Sequence, residues 1–217
     1  MGLTAPTGPI TNHPMNTIRS VCVYCGSSPG RDEAYVKAGH LLGRSLAKSG
    51  LRLIYGGGTK GIMGAVADGA IKAGGQVTGI IPRFLINREA TQTALDKLDE
   101  LLITDNMHER KHRMFEKSDA FVALPGGIGT VEEIVEIMTW AQLGHHRKPI
   151  VFANIKGFWD PMLSLIEHMS GEGFIHTAHR VKPLVVNDPE AIVAAIMVAG
   201  SSVDAPTEGV QAVIDKM

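Results

Sequence analysis

The chain has 217 residues, of which 44% are hydrophobic and 20% are charged, and its net charge at pH 7 is −1. This length and composition fit one α/β domain with a substantial core. A net charge so close to zero gives no long-range attraction for nucleic acid or anionic membranes. The longest apolar stretch, 191–200, is far shorter than the roughly 18 residues that cross a bilayer. We therefore expect neither a nucleic-acid partner nor a membrane span.

The first half of the chain alternates strand and helix patterns. Residues 20–24 predict a buried strand, and the turn that follows at 25–30 contains two serines and two glycines. Residues 32–48 predict a helix and 51–55 a second strand. Cys22 and Cys25 form a C-x-x-C pair, but both lie in or at the end of an apolar run rather than at a helix start. We interpret them as small strand residues, with a redox pair as the less favoured alternative.

A glycine-rich turn at 56–61, GGGTKG, satisfies the dinucleotide pattern G-x-G-x-x-G and leads into a small-residue helix. That pattern also requires an Asp or Glu about 20 residues later to bind a ribose hydroxyl, and Gln76-Val77-Thr78 supplies none. The turn is not a Walker loop, because Lys60 precedes Gly61 instead of following it. The sequence therefore predicts no nicotinamide cofactor, but a second glycine-rich turn at the edge of the sheet where ligands bind.

The remaining elements continue the alternation. Further strands are expected at 76–82, near 103, at 149–153 and at 184–186, with helices at 161–169 and 189–198. Residues 82–92 predict a loop that carries Arg83, Arg88 and Glu89, and His145-His146 is expected to face solvent from a polar loop. Alternating strands and helices indicate a doubly wound parallel β-sheet flanked by helices in a single α/β domain.

The two ends of the chain lie outside this pattern. Residues 1–17 are rich in Thr, Pro and Asn and have neither the basic start nor the apolar block of a signal peptide. We expect a disordered N-terminal arm at 1–17, a folded domain at 18–200 and a polar C-terminal tail at 201–217. The composition favours a cytoplasmic location.

Residues 119–143 combine a strand, a glycine-rich turn and a helix. The apolar run 120–124 predicts a strand, PGGIG follows, and helical spacing restarts at Thr130. Glycines without side chains and free N–H groups in a first helical turn favour an anion site there. Glu133, one turn into the helix, suggests chemistry beside a phosphate. In the alternative interpretation, Thr130 and Glu133 form a capping box.

Residues 106–117, NMHERKHRMFEK, predict a helix with an N-x-x-E cap. Helical spacing places Arg110 and Lys111 on one face with Met107 and Met114, which we expect in the core. Both cations are then carried toward a cleft, or they extend along the surface with their charges in water. His108-Glu109-Arg110-Lys111-His112 also matches the zinc motif H-E-x-x-H, but its central positions are highly polar and no third ligand follows at a helical interval.

Together these motifs resemble the LONELY GUY family, the cytokinin riboside 5′-monophosphate phosphoribohydrolases, formerly labelled lysine decarboxylases. The resemblance covers roughly residues 19–187, and it rests on CGSS at 25–28, the glycine-rich turn, MHERK at 107–111, PGGIGT at 125–130 with Glu133, and MTWAQLG at 138–144. It implies a Rossmann-like fold, usually a homodimer, and hydrolysis of a nucleoside 5′-monophosphate to free base and ribose 5-phosphate. No cofactor and no metal is implied.

By motif position, the resemblance makes Arg110 and Glu133 the catalytic pair. The substrate contacts that it implies are Ser27, Gly58, Glu89, Lys111, Gly126, Gly127, Ile128, Gly129, Thr130 and Thr139. Glycosidic cleavage passes through an oxocarbenium-like state, which a carboxylate such as Glu133 could stabilise, or the carboxylate could activate water. Arg110 could bind phosphate, orient Glu133 or assist the departing base. The rival hypothesis is a Rossmann-like protein that binds or senses nucleotides without hydrolysing them.

Overall fold

The computed structural model describes residues 18–175 and 183–202. Its strands are β1 (Ser20–Tyr24), β2 (Arg52–Tyr55), β3 (Val77–Pro82), β4 (Glu100–Thr104), β5 (Ala120–Ala123), β6 (Ile150–Ala153) and β7 (Leu184–Val186). They form one parallel sheet in the order β4-β3-β2-β1-β5-β6-β7. The predicted doubly wound α/β sheet is therefore confirmed.

The helices of the described residues connect these strands and cover the sheet. They are α1 (Glu33–Lys48), α2 (Gly61–Lys72), α3 (Ile86–Glu89), α4 (Gln92–Leu95), α5 (Met107–Glu116), α6 (Ile128–Gln142), α7 (Asp160–Gly171) and α8 (Ile192–Ser202). Short 3₁₀ turns occupy Arg83–Leu85 and Ile155–Gly157.

Two apolar layers hold the helices to the sheet, because successive side chains of a strand point to opposite faces. Val21 and Val23 of β1 pack in the layer that contains α1, α2 and α8. Cys22 and Tyr24 pack in the opposite layer, with side chains of α5, α6 and α7. Every residue of β1 is buried, as a central parallel strand covered on both faces requires.

Helices α1 and α2 approach each other closely at Gly43 of α1. A Cβ atom built on Gly43 would overlap the Val66 carbonyl oxygen of α2. A residue without a side chain is therefore needed where the two backbones meet.

The order of the sheet reverses at β1, which has β2 on one side and β5 on the other. In open α/β sheets, ligands bind in the crevice at the carboxyl ends of the strands at such a reversal. Here the main chain of Gly26 joins the neighbouring turns, since its N–H donates to the Pro125 carbonyl (3.0 Å) and its carbonyl accepts from the Met63 N–H (3.1 Å). The turns after β1, β2 and β5 thus meet at one place.

Several predicted boundaries differ from the structure. The predicted loop at 82–92 contains a 3₁₀ turn and α3. The last helix begins at Ile192 rather than 189 and continues to Ser202, past the predicted start of the tail. The predicted arm at 1–17 and the tail from 203 onward lie outside the described residues. None of the helices in the described ranges combines the length and apolar character needed to span a membrane.

Candidate functional site

Helix α6 begins two residues earlier than the sequence pattern predicts. Its N-cap is Gly127 and its first residue is Ile128, so Thr130 lies inside the first turn and is 4% exposed. The interpretation of Thr130 as the helix cap is therefore wrong. The reason is local packing: a Cβ on Gly126 would overlap the Thr130 hydroxyl, so the absence of one lets the threonine fold back against the turn.

The first turn of α6 has an uncapped N-terminal end. Among the described residues, no side chain caps this helix end, and its first N–H groups have no acceptor within the helix. A Cβ at Gly127 or Gly129 would meet no atom within 4 Å, so packing within the described chain requires neither glycine. The free N–H groups and the helix dipole make this turn suitable for a phosphate.

Helix α5 carries Arg110 into the crevice. The Asn106 side chain caps this helix by accepting from the Glu109 N–H (2.9 Å), as predicted, and Met114 packs in the core. Met107 was expected in the core as well, but it is 36% exposed. Its sulfur lies 3.7 Å from Nη1 of Arg110, so it covers the guanidinium at the edge of the crevice instead of filling the core.

The Arg110 side chain is buried and held by main-chain atoms. Its Nε donates to the Ile80 carbonyl of β3 (3.2 Å), and its Nη2 donates to the Gly56 carbonyl at the end of β2 (3.4 Å). These two bonds fix the plane of the guanidinium at the carboxyl edge of the sheet. Nη1 is directed toward Glu133 of α6, at 3.6 Å from its Oε1.

Glu133 is a buried carboxyl group, only 8% exposed, with an unusual pKa. Burial raises the pKa of Glu133 to about 7, and the positive charge of Arg110 opposes this rise. The carboxylates of Glu132 and Glu89 raise the pKa further, while Lys111 lowers it. A carboxyl group that titrates near neutral pH can exchange protons under physiological conditions, as general acids and bases do.

Lys111 lies beside this pair but has its own partners. Its Nζ lies 2.5 Å from the Glu132 carboxylate and 3.1 Å from that of Glu136, both on α6. The predicted role of Lys111 as a substrate contact remains a prediction. In the structure it links α5 to α6.

The other predicted substrate contacts lie in α3, in α6 and in the turns after β1 and β2. The Glu89 carbonyl accepts from the main chain of Thr59 (2.8 Å), which ties α3 to the turn after β2. The Gly58 N–H in that turn donates to the Met63 sulfur (3.2 Å), and Ser27 is exposed after β1. Thr139 is exposed farther along α6, and its hydroxyl donates to the Val135 carbonyl (2.8 Å).

Gly56 has a role that its sequence context does not indicate. A Cβ at this position would overlap Nη2 of Arg110, so the glycine makes room for the guanidinium that its own carbonyl binds. In the sequence, this glycine belongs to the pattern G-x-G-x-x-G. No local signal connects it to an arginine 54 residues away.

The rival motifs have structural explanations. Glu109 accepts from the Asp105 N–H (3.1 Å) at the start of α5, and His112 pairs with Glu116 at the surface (3.2 Å). Within residues 18–175 and 183–202, no group of three or more His, Cys, Asp or Glu side chains is arranged to hold a metal. Both cysteines are free and buried, as interpreted, and burial raises the pKa of each thiol.

The expectation that His146 faces solvent is wrong. Its ring is buried against Phe115 and Phe121, and it bonds the Ile137 carbonyl through Nε2 (2.9 Å) and accepts from the Lys148 N–H through Nδ1 (3.1 Å). The histidine is buried although its loop is polar, because it packs against two aromatic rings from other parts of the chain.

A parallel sheet with glycine-rich turns and an uncapped helix at its reversal point defines a Rossmann-like α/β protein. A molybdenum cofactor carrier protein from Chlamydomonas reinhardtii shares this fold, with a TM-score of 0.64 and 21% identity, over 86% of this chain and 99% of that one. The family described as possible lysine decarboxylase matches residues 63–196.

Similarity to enzymes covers most of the chain. A protein from Rhodococcoides fascians named cytokinin riboside 5′-monophosphate phosphoribohydrolase is 45% identical over 180 residues, which is 83% of this chain and 90% of that protein. A protein from Oryza sativa subsp. japonica named cytokinin riboside 5′-monophosphate phosphoribohydrolase LOG is 44% identical over 173 residues, 80% of this chain and 69% of that protein. The chain therefore belongs to the LONELY GUY family, and the expected type of enzyme, a phosphoribohydrolase, is confirmed.

Proposed function

We propose that this protein hydrolyses the N-glycosidic bond of cytokinin riboside 5′-monophosphates, and of AMP, to the free base and ribose 5-phosphate. The names of its relatives support the first substrate class. The observation that carries the proposal is the buried Arg110–Glu133 pair, 3.6 Å apart, about one turn inside the open N-terminus of α6. One nucleotide can place its phosphate on that N-terminus and its glycosidic carbon beside Glu133.

The phosphate is held by the turn Pro125–Thr130. Its glycines allow an anion to approach the main chain, and the N–H groups of the first turn of α6 donate to it. Fixing the phosphate in this way holds the sugar in place. In the best-oriented reactions, such positioning lowers the activation barrier by roughly 7 kcal/mol or more.

Glu133 acts in its ionised form beside the anomeric carbon. As the bond to the base breaks, positive charge develops on the sugar, and a carboxylate stabilises this charge or removes a proton from the attacking water. Arg110 faces the carboxylate, because two main-chain carbonyls fix its guanidinium and leave Nη1 directed toward Glu133. Its positive charge also keeps part of the Glu133 population ionised near neutral pH.

The direct test is incubation with AMP and with isopentenyladenosine monophosphate, followed by chromatography for free base. We expect wild-type protein to release base and Glu133→Gln to lose most turnover while still binding nucleotide. Glu116→Gln, which removes an exposed carboxylate of α5, is the matched control and should keep wild-type turnover. Nucleotide binding without base release by the wild type would instead favour the rival hypothesis of a binding or sensing protein.

We further propose that the protein forms a homodimer through α6. The exposed side of this helix presents Ile128 (85% exposed), Val135 (39%) and Leu143 (66%) at intervals that place them along one stripe. Exposed large apolar side chains along one side of a helix are common in surfaces that another chain covers. Because the stripe begins in the turn that we assign to phosphate, such an interface would lie beside the substrate site.

A further inference from the structure

A cluster of three charged side chains joins α5 to α6 immediately beside the Arg110–Glu133 pair. Lys111 follows Arg110 in α5, while Glu132 and Glu136 precede and follow Glu133 in α6. The Lys111 ammonium lies between the two carboxylates, at 2.5 and 3.1 Å, and its side chain is only 16% exposed. Two carboxylates four residues apart on a helix repel each other, so the shared cation removes a destabilising interaction as well as linking the helices.

The contact between Arg110 and Glu133 is too weak to determine the distance between the two groups. The separation of 3.6 Å is longer than the roughly 2.7–2.9 Å of a strong charge-assisted hydrogen bond. Within the described residues, this contact is the only ion pair or hydrogen bond of the Glu133 carboxylate. Arg110 is held by strand carbonyls, whereas Glu133 is held only through the position of α6. The distance between the two groups therefore depends on how α6 is held against α5.

We propose that Lys111 is a positioning residue that clamps α6 to α5 through Glu132 and Glu136 and so sets the distance between Arg110 and Glu133. This inference rests on the proposed function for its kinetic consequences. At the far end of the same helix pair, the Phe115 ring packs edge-on against Trp140 at 4.8 Å. That contact lies away from the catalytic pair, so the lysine controls the end of α6 that carries Glu133.

A clamping role and a phosphate-binding role of Lys111 predict different kinetic effects. A lysine that binds phosphate should affect mainly substrate affinity, and its glutamate partners should be dispensable. A clamp should affect mainly kcat, and loss of the glutamates should have the same effect as loss of the lysine. Misplacement of a catalytic group by about 1 Å can cost on the order of 10²-fold in rate.

The test compares Lys111→Met, the double variant Glu132→Gln/Glu136→Gln, and the triple variant, with AMP as substrate. Each kcat is taken from the plateau above the titration of Glu133, because removing Lys111 and removing Glu132 shift its pKa in opposite directions. We expect Lys111→Met and the double variant each to lower kcat by about 10- to 100-fold with little change in KM, and the triple variant to lose no more. Wild-type kcat in the double variant, or a loss in Lys111→Met that lies mainly in KM, would overturn the clamp.

A matched control is available in the same helix region. Lys117, at the C-terminal end of α5, pairs with Glu100 of β4 at 3.0 Å, away from α6. Lys117→Met also removes a paired lysine, so it should leave kcat unchanged. A loss equal to that of Lys111→Met would show a general effect of losing a lysine and would contradict the clamp.

A readout without substrate separates the clamp from the proposed function. The urea midpoints of the wild type and the three clamp variants form a double-mutant cycle, which we expect to show coupling between Lys111 and the two glutamates. Additive shifts would overturn the clamp whether or not the protein is active. An inactive wild type with coupled shifts would overturn the proposed function and leave the helix link standing.

Discussion

At the scale of single residues, the charge of Glu133 is set by two opposing effects. Burial favours the neutral acid, and the fixed guanidinium of Arg110 favours the carboxylate. Neither effect is visible in the local sequence, where Glu133 resembles an ordinary acidic residue near a helix start. The PGGIGT motif points to Glu133, but only the packing of α5 against the strand ends explains why the pKa of Glu133 is about 7.

The first prediction at this scale concerns the pH dependence of activity. Because the proposed mechanism requires ionised Glu133, kcat/KM should rise with pH and level off above an inflection near pH 7. Glu89→Gln removes a neighbouring negative charge that raises this pKa, so its inflection should move to lower pH. Steady-state rates between about pH 5 and pH 9 provide the measurement. A profile that stays flat across neutral pH would contradict the assignment.

The second prediction concerns stability. The pKa of Glu133 is raised in the folded state, so between its ordinary value of 4.5 and about 7 the folded chain binds more protons than the unfolded chain. Wild-type stability should therefore fall as pH rises through this range, by about 1.4 kcal/mol for each unit of pKa difference at most. Gln at position 133 resembles the neutral acid and avoids this loss.

Urea denaturation should accordingly show the stability of Glu133→Gln rising relative to wild type between about pH 5 and pH 8. Glu116→Gln provides the comparison, since its carboxylate is exposed on α5 and should show no such trend. A constant difference between Glu133→Gln and wild type at all pH values would mean that the buried carboxyl is not destabilised when it ionises.

At the scale of elements, the close contact between α1 and α2 depends on missing side chains, at Gly43 of α1 and at Gly69 of α2. Gly43→Ala would place a methyl group against the Val66 carbonyl oxygen, which is main chain and cannot rotate away. Overpacking of this kind costs about 1–3 kcal/mol. We expect a lower urea midpoint for Gly43→Ala, with nucleotide hydrolysis retained in the folded fraction.

The same substitution in an open helix serves as its control. A Cβ at Gly171 of α7 meets no atom within 4 Å, so Gly171→Ala should leave stability unchanged or slightly higher. If the two substitutions destabilised the protein equally, overlap with the Val66 carbonyl could not be the cause of the lower stability of Gly43→Ala.

The sequence predicted most elements well because their signals are local. Residues 20–24 and 184–186 match β1 and β7, since apolar runs between turn residues are reliable strand signals. The start of α6 was missed because a T-x-x-E pattern is the usual sign of a cap. Here Gly127 takes that position, and the fold of the glycine turn around Thr130 decides the boundary.

At the scale of the whole molecule, the sequence predicted which segments meet but not how they are held. A doubly wound sheet brings the carboxyl ends of its strands together, so the turns after β1, β2 and β5 were expected at one edge. The bonds from Arg110 to Ile80 and Gly56 join residues about 30 and 54 positions apart. Such distant pairs are determined by the packing of α5, which no local pattern encodes.

The oligomeric state is the prediction for the whole molecule. If α6 forms the dimer interface, Leu143→Glu should place a charge in its apolar stripe and shift the protein from dimer to monomer in analytical ultracentrifugation. Met197→Glu is the matched control, because Met197 is 41% exposed on α8, across the sheet from α6. A wild-type monomer, or a dimer that persists in Leu143→Glu, would contradict this interface.

The space at Gly56 has a consequence for how such a protein could change its task. One methyl group there would displace the guanidinium of Arg110 while leaving the glycine turn of α6, which we propose to bind phosphate, untouched. Under the proposed function, a single carbon atom after the end of β2 would thus separate hydrolysis of a nucleotide from its mere retention.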